Sequence, residues 1–391
     1  MTKSRNLEGV WLVWLLCAVI QSLFAASAAQ YLHAGARDGL QIFGSFYGSG
    51  SAVLHGLNPY AVYPLTHINP SCNGFGKVVD LNLNPPPVLP LFARLARFRP
   101  TTAAQIWTFV SLAFFLGGSA LLVAEYRDRI QHRQVIWLLC TMSVTYNLRF
   151  GQVYSLLFVL GVASWIFLER KRALAAGICL GLLIAFKPNF AVWPCFLFLR
   201  GDRWIALTAA AVASGLATLA AILYTPHVYS QWLVAVAGDP HWMASGETSL
   251  TGLATRLGHP LAGRAASALL LLGSGWFIAT KRPSLREASG IAVTAGILAS
   301  PLAWIDYTLV SSGLLVQERW GWFLSLVLLP MVIPRFMEIT NLGTVVVVCL
   351  AIHFFQCALK ERRTVMTANA AAGASESPVT PTAQLQTPQE S

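Results

Sequence analysis

An all-α membrane protein, a polytopic bundle of about 10–13 transmembrane helices, is the fold class that three observations predict. Of the 391 residues, 55% are hydrophobic and only 11% charged, against the ~25% charge of a soluble domain, and mean hydropathy is +0.59. The apolar residues gather into stretches separated by short polar punctuation. The basic residues cluster in alternate short connections, as the positive-inside rule requires. The net charge of +11 then belongs at a cytoplasmic lipid surface, and no nucleic-acid partner is expected.

Taken in order, the apolar pattern gives spans near 10–30, 102–123, 134–148, 151–168, 173–186, 189–199, 203–225, 263–280, 287–300, 305–316, 320–336 and 343–359. Several are shorter than the ~20 residues of a perpendicular span. The first is longer than a signal-peptide core and is expected to stay as an anchor.

The basic clusters are Lys3/Arg5, Arg127/Arg129/Arg133, Arg170–Arg172, Arg200/Arg203, Lys281/Arg282/Arg286, Arg319 and Lys360/Arg362/Arg363, seventeen of the 27 basic residues. Twelve spans put all of them on one side, the cytoplasm, together with both termini. Arg94, Arg97 and Arg99 fall outside. Segment 86–99 is therefore either an amphipathic element on the outer surface or a true span.

Residues 1–363 form the membrane domain on this reading. The tail 364–391, rich in Ala, Ser, Thr and Pro, is expected to be disordered and cytoplasmic. Cys17, Cys140, Cys179, Cys195, Cys349 and Cys357 lie in apolar helices as small hydrophobes, and Cys72 stands in an outer loop without an obvious partner.

The two long loops, 31–101 and 226–262, lie on the outer side, and so do isolated polar residues between spans. Charge near the membrane interior is costly and marks function by default. Lys187 stands alone between Phe186 and Pro188, Asp306 alone between Ile305 and Tyr307, and Arg149 and Gln152 flank Gly151. Their convergence on one face points to a single outward-facing site. Each also has an ordinary reading: snorkelling for Lys187, a helix cap for Asp306, an interhelical hydrogen bond for Gln152, and the interfacial belt for Tyr60 and Trp304.

The first long loop is dense in Gly, Asn and Pro, residues that fix turns and admit close approach to a ligand. A loop of this length in a protein of minimal loops is expected to be functional. No Walker-type phosphate loop occurs, which argues against ATP-driven transport, and no HExxH, CxxC or GxSxG motif or paired-Asp metal site appears. No metal or cofactor is expected.

Four stretches carry a resemblance. They are Phe46-Tyr47 with Ser49-Gly50 leading to Gly56-Leu57-Asn58-Pro59-Tyr60, then Asn82-Leu83-Asn84-Pro85-Pro86, then Asn147 through Gly151-Gln152 with Lys187-Pro188, and finally Ser300-Pro301 with Trp304. In order and spacing, over roughly 40–310, the chain resembles the integral-membrane glycosyltransferases of family 87. Its characterised members are polyprenyl-phosphate-mannose-dependent α-1,2-mannosyltransferases of GT-C architecture. There are departures. The family's Asp before the aromatic pair is Ile42 here, its His after the Ser-Pro-x-x-Trp segment is replaced by Asp306 and Tyr307, and Glu247 and Thr248 stand where an Asn precedes Ser249-Leu250.

The resemblance implies an inverting hexosyltransferase, mannose being the expected sugar, that works at the periplasmic face of a bacterial inner membrane. Its partners are a polyprenyl-phosphate-sugar donor, a glycolipid or glycan acceptor and the lipid bilayer. Such chemistry needs a carboxylate to take the acceptor's proton and a fixed cation for the departing phosphate. The candidates are Asp80 or Asp38 as base, with Asp306 as a supporting acid, and Lys187 helped by Arg149 on the phosphate. Gln152, Asn84 and Tyr60 are the candidate sugar ligands. The competing reading is a secondary transporter, or a catalytically degenerate lipid-binding membrane protein; no repeat between the two halves supports transport.

Overall fold

The computed structural model describes residues 2–34, 40, 42–68, 78–140, 147–224, 226–238, 247–316 and 342–375. Asp38, Cys72 and the span expected at 320–336 lie outside them.

Among the described residues, five helices are long and apolar enough to cross a membrane: Glu8–Gln30 within α1 (Thr2–Ala34), α4 (Pro100–Glu125), α9 (Arg203–Tyr224), α12 (Pro260–Lys281) and Thr344–Glu361 within α15 (Leu342–Ser375). Two shorter apolar helices, α6 (Tyr154–Glu169) and α7 (Ala173–Phe186), join them. Their outward faces would be untenable in water. Leu12, Leu15, Leu16, Ile20 and Leu23 of α1 are exposed, as are Leu219, Ile222 and Leu223 of α9 and Leu269, Leu272 and Trp276 of α12. Lipid is the medium that covers such faces without cost. The chain is an all-α membrane protein.

Inside, packing relies on large aromatics and on small residues that let helices meet. Phe115 of α4 and Phe158 of α6 pack with ring centroids 5.2 Å apart, and Trp107, Trp165 and Trp193 are fully buried. Helix α7 packs against both α6 and α9. Gly177 and Gly181 of α7 face α9, and a Cβ at either would come within 2.6 Å of Thr208 or Val212. This is the small-xxx-small spacing of close membrane helix pairs.

The first long loop proves to be largely folded. Its Gly- and Ser-rich stretch forms α2 (Ile42–Leu54), with Phe43 through Gly50 buried. Glycine here serves approach rather than turning: a Cβ on Gly50 would collide with the Phe92 backbone of α3 (Leu89–Leu95). Phe46 and Phe92 stack at 4.8 Å, and Phe92 meets Trp107 edge-on at 5.6 Å, which ties the loop to α4. A two-residue antiparallel ladder, β1 (His67–Ile68) with β2 (Val78–Val79), closes the loop's end.

Segment 86–99 takes the short-element alternative. It is a 3₁₀ turn, Pro86–Val88, followed by the seven-residue α3, about 10 Å long at 1.5 Å per residue. That is far short of a ~30 Å hydrocarbon core, and Arg94, Arg97 and Arg99 are exposed.

A second difference falls at 305–316. This stretch is a seven-residue 3₁₀ segment, Ile305–Ser311, running into the single turn α14 (Ser312–Leu315). Ser311 bonds back to the Thr308 carbonyl, a local competitor of regular helical bonding. So long a 3₁₀ run is uncommon and often marks a functional segment. At the other end, α15 continues through position 363 to Ser375.

Candidate functional site

Helix α7 stops at Phe186 because Pro188 pushes the residue before it out of helical geometry. Lys187 is accordingly extended, at φ −144° and ψ 97°, before the 3₁₀ turn Pro188–Ala191 and α8 (Val192–Arg200). Its ammonium lies 5.7 Å from the ring centroid of Tyr307 and 6.0 Å from that of Tyr154. The two tyrosines pack edge to face at 5.2 Å, and Phe190 adds a third ring 5.6 Å from Tyr307. Ring faces hold a cation at about 0.5–2 kcal/mol apiece. Lys187 keeps some accessible surface, yet it is set deeply enough that burial lowers its pKa from 10.5 to about 8, against an opposing pull from Asp80.

Asp80 enters from the first loop. Its N–H donates to the Thr66 carbonyl at 2.9 Å, extending the small ladder. From there burial alternates: Asp80, Asn82 and Asn84 are buried, while Leu81 and Leu83 pack beside Tyr60, Leu89 and Val228. The segment is pinned on both sides. The Tyr60 hydroxyl donates to the Asn84 carbonyl at 3.0 Å, and Trp232 of α10 (His227–Ala237) donates to the Leu83 carbonyl at 3.0 Å. Pro85, Pro86 and Pro87 then fix the backbone at its end.

The second long loop supplies the other wall. Glu247 pairs with Trp304 in an antiparallel bridge, and the Thr248 N–H donates to the Ala303 carbonyl at 2.7 Å. Ser249 caps α11 (Leu250–Arg256) by accepting from the Gly252 N–H. Arg256 reaches back to the Glu247 carbonyl at 2.9 Å; burial lowers its pKa and Glu247 opposes the shift. Glu247 is 5% exposed and Asp306 is 9% exposed, and both act electrostatically on Tyr307.

A third segment sits behind these. Between Asn147 and α6 the chain reverses through Gly151 at φ +68°, where a Cβ would lie 2.6 Å from that of Phe43. Trp107 donates to the Gly151 carbonyl at 2.8 Å, and the Asn147 side chain donates to the Ser155 hydroxyl at 2.6 Å.

Of the residues singled out from sequence, Lys187 lies against the Tyr154–Tyr307 pair, and Asp80 and Asp306 both act electrostatically on Tyr154. Asn84 and Tyr60 are buried next to each other in the segment that follows Asp80. Gln152 is half-buried in the Gly151 turn, its N–H on the Asn147 carbonyl. Arg149 is exposed, with its guanidinium 5.8 Å over the ring of Phe150. Ile42, where the family places Asp, packs among core hydrophobics. Sequence reasoning did not single out Tyr154 or Arg256, it noted Glu247 and Tyr307 only as departures, and it named Asn82 only within the Asn82–Pro86 run. Glu247 carried one signal, an acid standing directly before the Ser249-Leu250 pair of the second long loop.

A model of glycosyltransferase family 87 matches residues 82–312, well over half of the chain. No curated protein and no solved structure matches it. The matched stretch holds Asn82, Asn84, Tyr154, Lys187, Glu247, Asp306 and Tyr307, and begins two residues after Asp80. On that match, and with its apolar helices, the chain belongs to glycosyltransferase family 87 and is a multi-pass membrane glycosyltransferase.

Proposed function

We propose that this protein moves a hexose, mannose by preference, from a polyprenyl-phosphate donor to a glycolipid or glycan acceptor, with inversion at the anomeric carbon. The reaction is placed at the periplasmic face of a bacterial inner membrane, both termini being cytoplasmic. Residues 1–363 serve as the membrane domain and 364–391 as a cytoplasmic tail. The observation that carries the reading is Lys187, a half-buried cation against two tyrosine rings at the end of an apolar helix with a carboxylate in electrostatic reach. A lipid phosphate arriving along the apolar helices meets its counter-charge there.

The chemistry follows. The acceptor hydroxyl oxygen attacks the anomeric carbon while a carboxylate takes its proton. The bond from that carbon to the phosphate oxygen breaks, its electron pair goes to the phosphate, and Lys187 stabilises the added charge. Arg149, from its exposed position, draws the headgroup in. The base is one of the carboxylates Asp80, Glu247 and Asp306, with Asp38 the further candidate from the first loop. An in-line displacement sets the base opposite the leaving phosphate. Asp80 acts electrostatically on Lys187 and, together with Asp306, on Tyr154, while Glu247 and Asp306 act on Tyr307. Asp80 helps to keep Lys187 charged, and Asp306 and Glu247 stand as alternative bases. Gln152 and Asn84 hold sugar hydroxyls, and Tyr60 acts through Asn84.

The test uses proteoliposomes with polyprenyl-phosphate [¹⁴C]mannose, GDP-[¹⁴C]mannose as the rival donor and an alkyl mannoside as acceptor. The reading expects label to pass from the lipid donor to the acceptor as free polyprenyl phosphate appears. Transfer from the nucleotide sugar alone would overturn it.

A further inference from the structure

Asn82 and Asn84 carry a second, finer piece of recognition. Both are buried, at 1% and 2% exposed. The Asn82 side-chain oxygen accepts twice, from the Asn84 N–H at 3.0 Å and from the Asn84 amide nitrogen Nδ2 at 2.9 Å. These bonds settle which way each amide points. A backbone N–H requires an oxygen opposite it, so the Asn82 oxygen faces Asn84 and its Nδ2 faces away. Asn84 spends its Nδ2 on that same oxygen, so its Oδ1 faces away as well. Among the described residues, Asn82 Nδ2 and Asn84 Oδ1 have no hydrogen-bond partner.

A buried amide donor and a buried amide acceptor left unpaired are each costly to the fold. They are also held rigidly: Tyr60 and Trp232 clamp the backbone on either side of Leu83 and three prolines follow. Rigid, paid-for polarity of this kind is what a site built to read hydroxyl groups contains. Asp80, Asn82 and Asn84 alternate on the buried side of one strand-like run, with Asp80 at the end that acts on Lys187.

We infer that Asn82 Nδ2 and Asn84 Oδ1 form a donor–acceptor pair that reads two ring hydroxyls of the transferred sugar, one accepting from Asn82 and one donating to Asn84. This deepens the proposed function and rests on it, since it places the sugar beyond a phosphate at Lys187. The two amides are joined by a 2.9 Å hydrogen bond, so their outward atoms are at most two amide widths and that one bond apart. That span can be bridged by neighbouring hydroxyls on one pyranose ring.

The experiment measures binding to the full-length protein in nanodiscs, using polyprenyl-phosphate mannose, its 2-, 3-, 4- and 6-deoxy analogues and bare polyprenyl phosphate. Wild type should bind the mannosylated lipid about tenfold to a hundredfold more tightly than the bare carrier. Two of the deoxy analogues, lacking adjacent hydroxyls, should lose most of that gain. The near-isosteric Asn82→Asp keeps the accepting oxygen and loses the donor. It should shrink the ratio of mannosylated to bare affinity and make one of the two sensitive deoxy positions indifferent. If Asn82→Asp misfolds, the wild-type deoxy series decides alone: no sensitive adjacent pair overturns the inference. It is also overturned if the Asn82→Asp ratio equals wild type, or if every deoxy analogue loses as much in the variant as in wild type. Failure of the bare carrier to bind at all refutes the donor reading itself, and this inference with it.

Discussion

Replacing Lys187 with Met keeps length and apolar volume while removing the positive charge that lies against the tyrosine pair. If that charge stabilises the departing phosphate, its loss should act on the transition state. A single preorganised electrostatic donor contributes about 10²–10³ in rate, or roughly 2.7–4 kcal/mol. The structure supports an effect in this range, because the ammonium lies 5.7 and 6.0 Å from two ring centroids and is only partly exposed. Lys187→Met should therefore lower single-turnover transfer by about 10²–10³ while membrane insertion is unchanged. The pKa of about 8 adds a second signature. In kcat/KM, which reports the free enzyme, activity should fall as pH rises through about 8, and Lys187→Arg should lack that limb. Stability should move the other way. The folded pKa is below the ordinary 10.5, so between about pH 8 and 10.5 the unfolded chain binds more protons and stability rises with pH. Below pH 8 the lysine is charged in both states and the burial cost is fully present. A variant within threefold of wild type, with an unchanged pH profile, would refute the assignment and leave Lys187 as a snorkelling residue.

The acids should separate in a parallel series. Among Asp80→Asn, Glu247→Gln, Asp306→Asn and Asp38→Asn, the true base should lose about 10²–10⁴ in single-turnover rate and the others far less; four wild-type rates would eliminate carboxylate catalysis. Tyr60→Phe removes the hydroxyl that holds the Asn84 carbonyl. It should raise donor KM severalfold, in line with about 1 kcal/mol for one hydrogen bond, with kcat nearly intact. Gly151→Ala places a Cβ at φ +68° against Phe43. A cost of at least 1–2 kcal/mol from the left-handed backbone alone should show as a lower midpoint in thermal unfolding, and an unchanged midpoint would contradict the close packing of that turn.

The long spans were legible because one physical signal sets them. Segments 102–123, 173–186 and 203–225 are uninterrupted apolar runs bounded by Pro, Lys or Arg, and the observed helices begin and end within two residues of them. Helix α2 was hidden by its composition. Gly44, Gly48 and Gly50 suggest turns in isolation, and only packing against α3 and the 64–68 segment makes a buried helix of them. Segment 305–316 misled for the opposite reason, since apolar content alone does not reveal a 3₁₀ segment where hydroxyls compete for the backbone. In the site, Lys187 and Asp306 stood out as charges without neighbours in an apolar sequence, and Asp80 as one of the two acids of the first long loop. Tyr154 and Glu247 did not. An aromatic at the start of an apolar helix has no distinctive pattern, and the bridge that brings Glu247 to Trp304 spans 57 positions of sequence.

The most direct test of the account is a structure of the protein in a nanodisc with a non-transferable polyprenyl-phosphate sugar bound. The account predicts a phosphate oxygen within hydrogen-bonding distance of Lys187 Nζ, about 2.7–3.1 Å, and the sugar lying along Asp80, Asn82 and Asn84. A phosphate seated instead on the basic connections at Arg170–Arg172 or Lys281–Arg286 would contradict it.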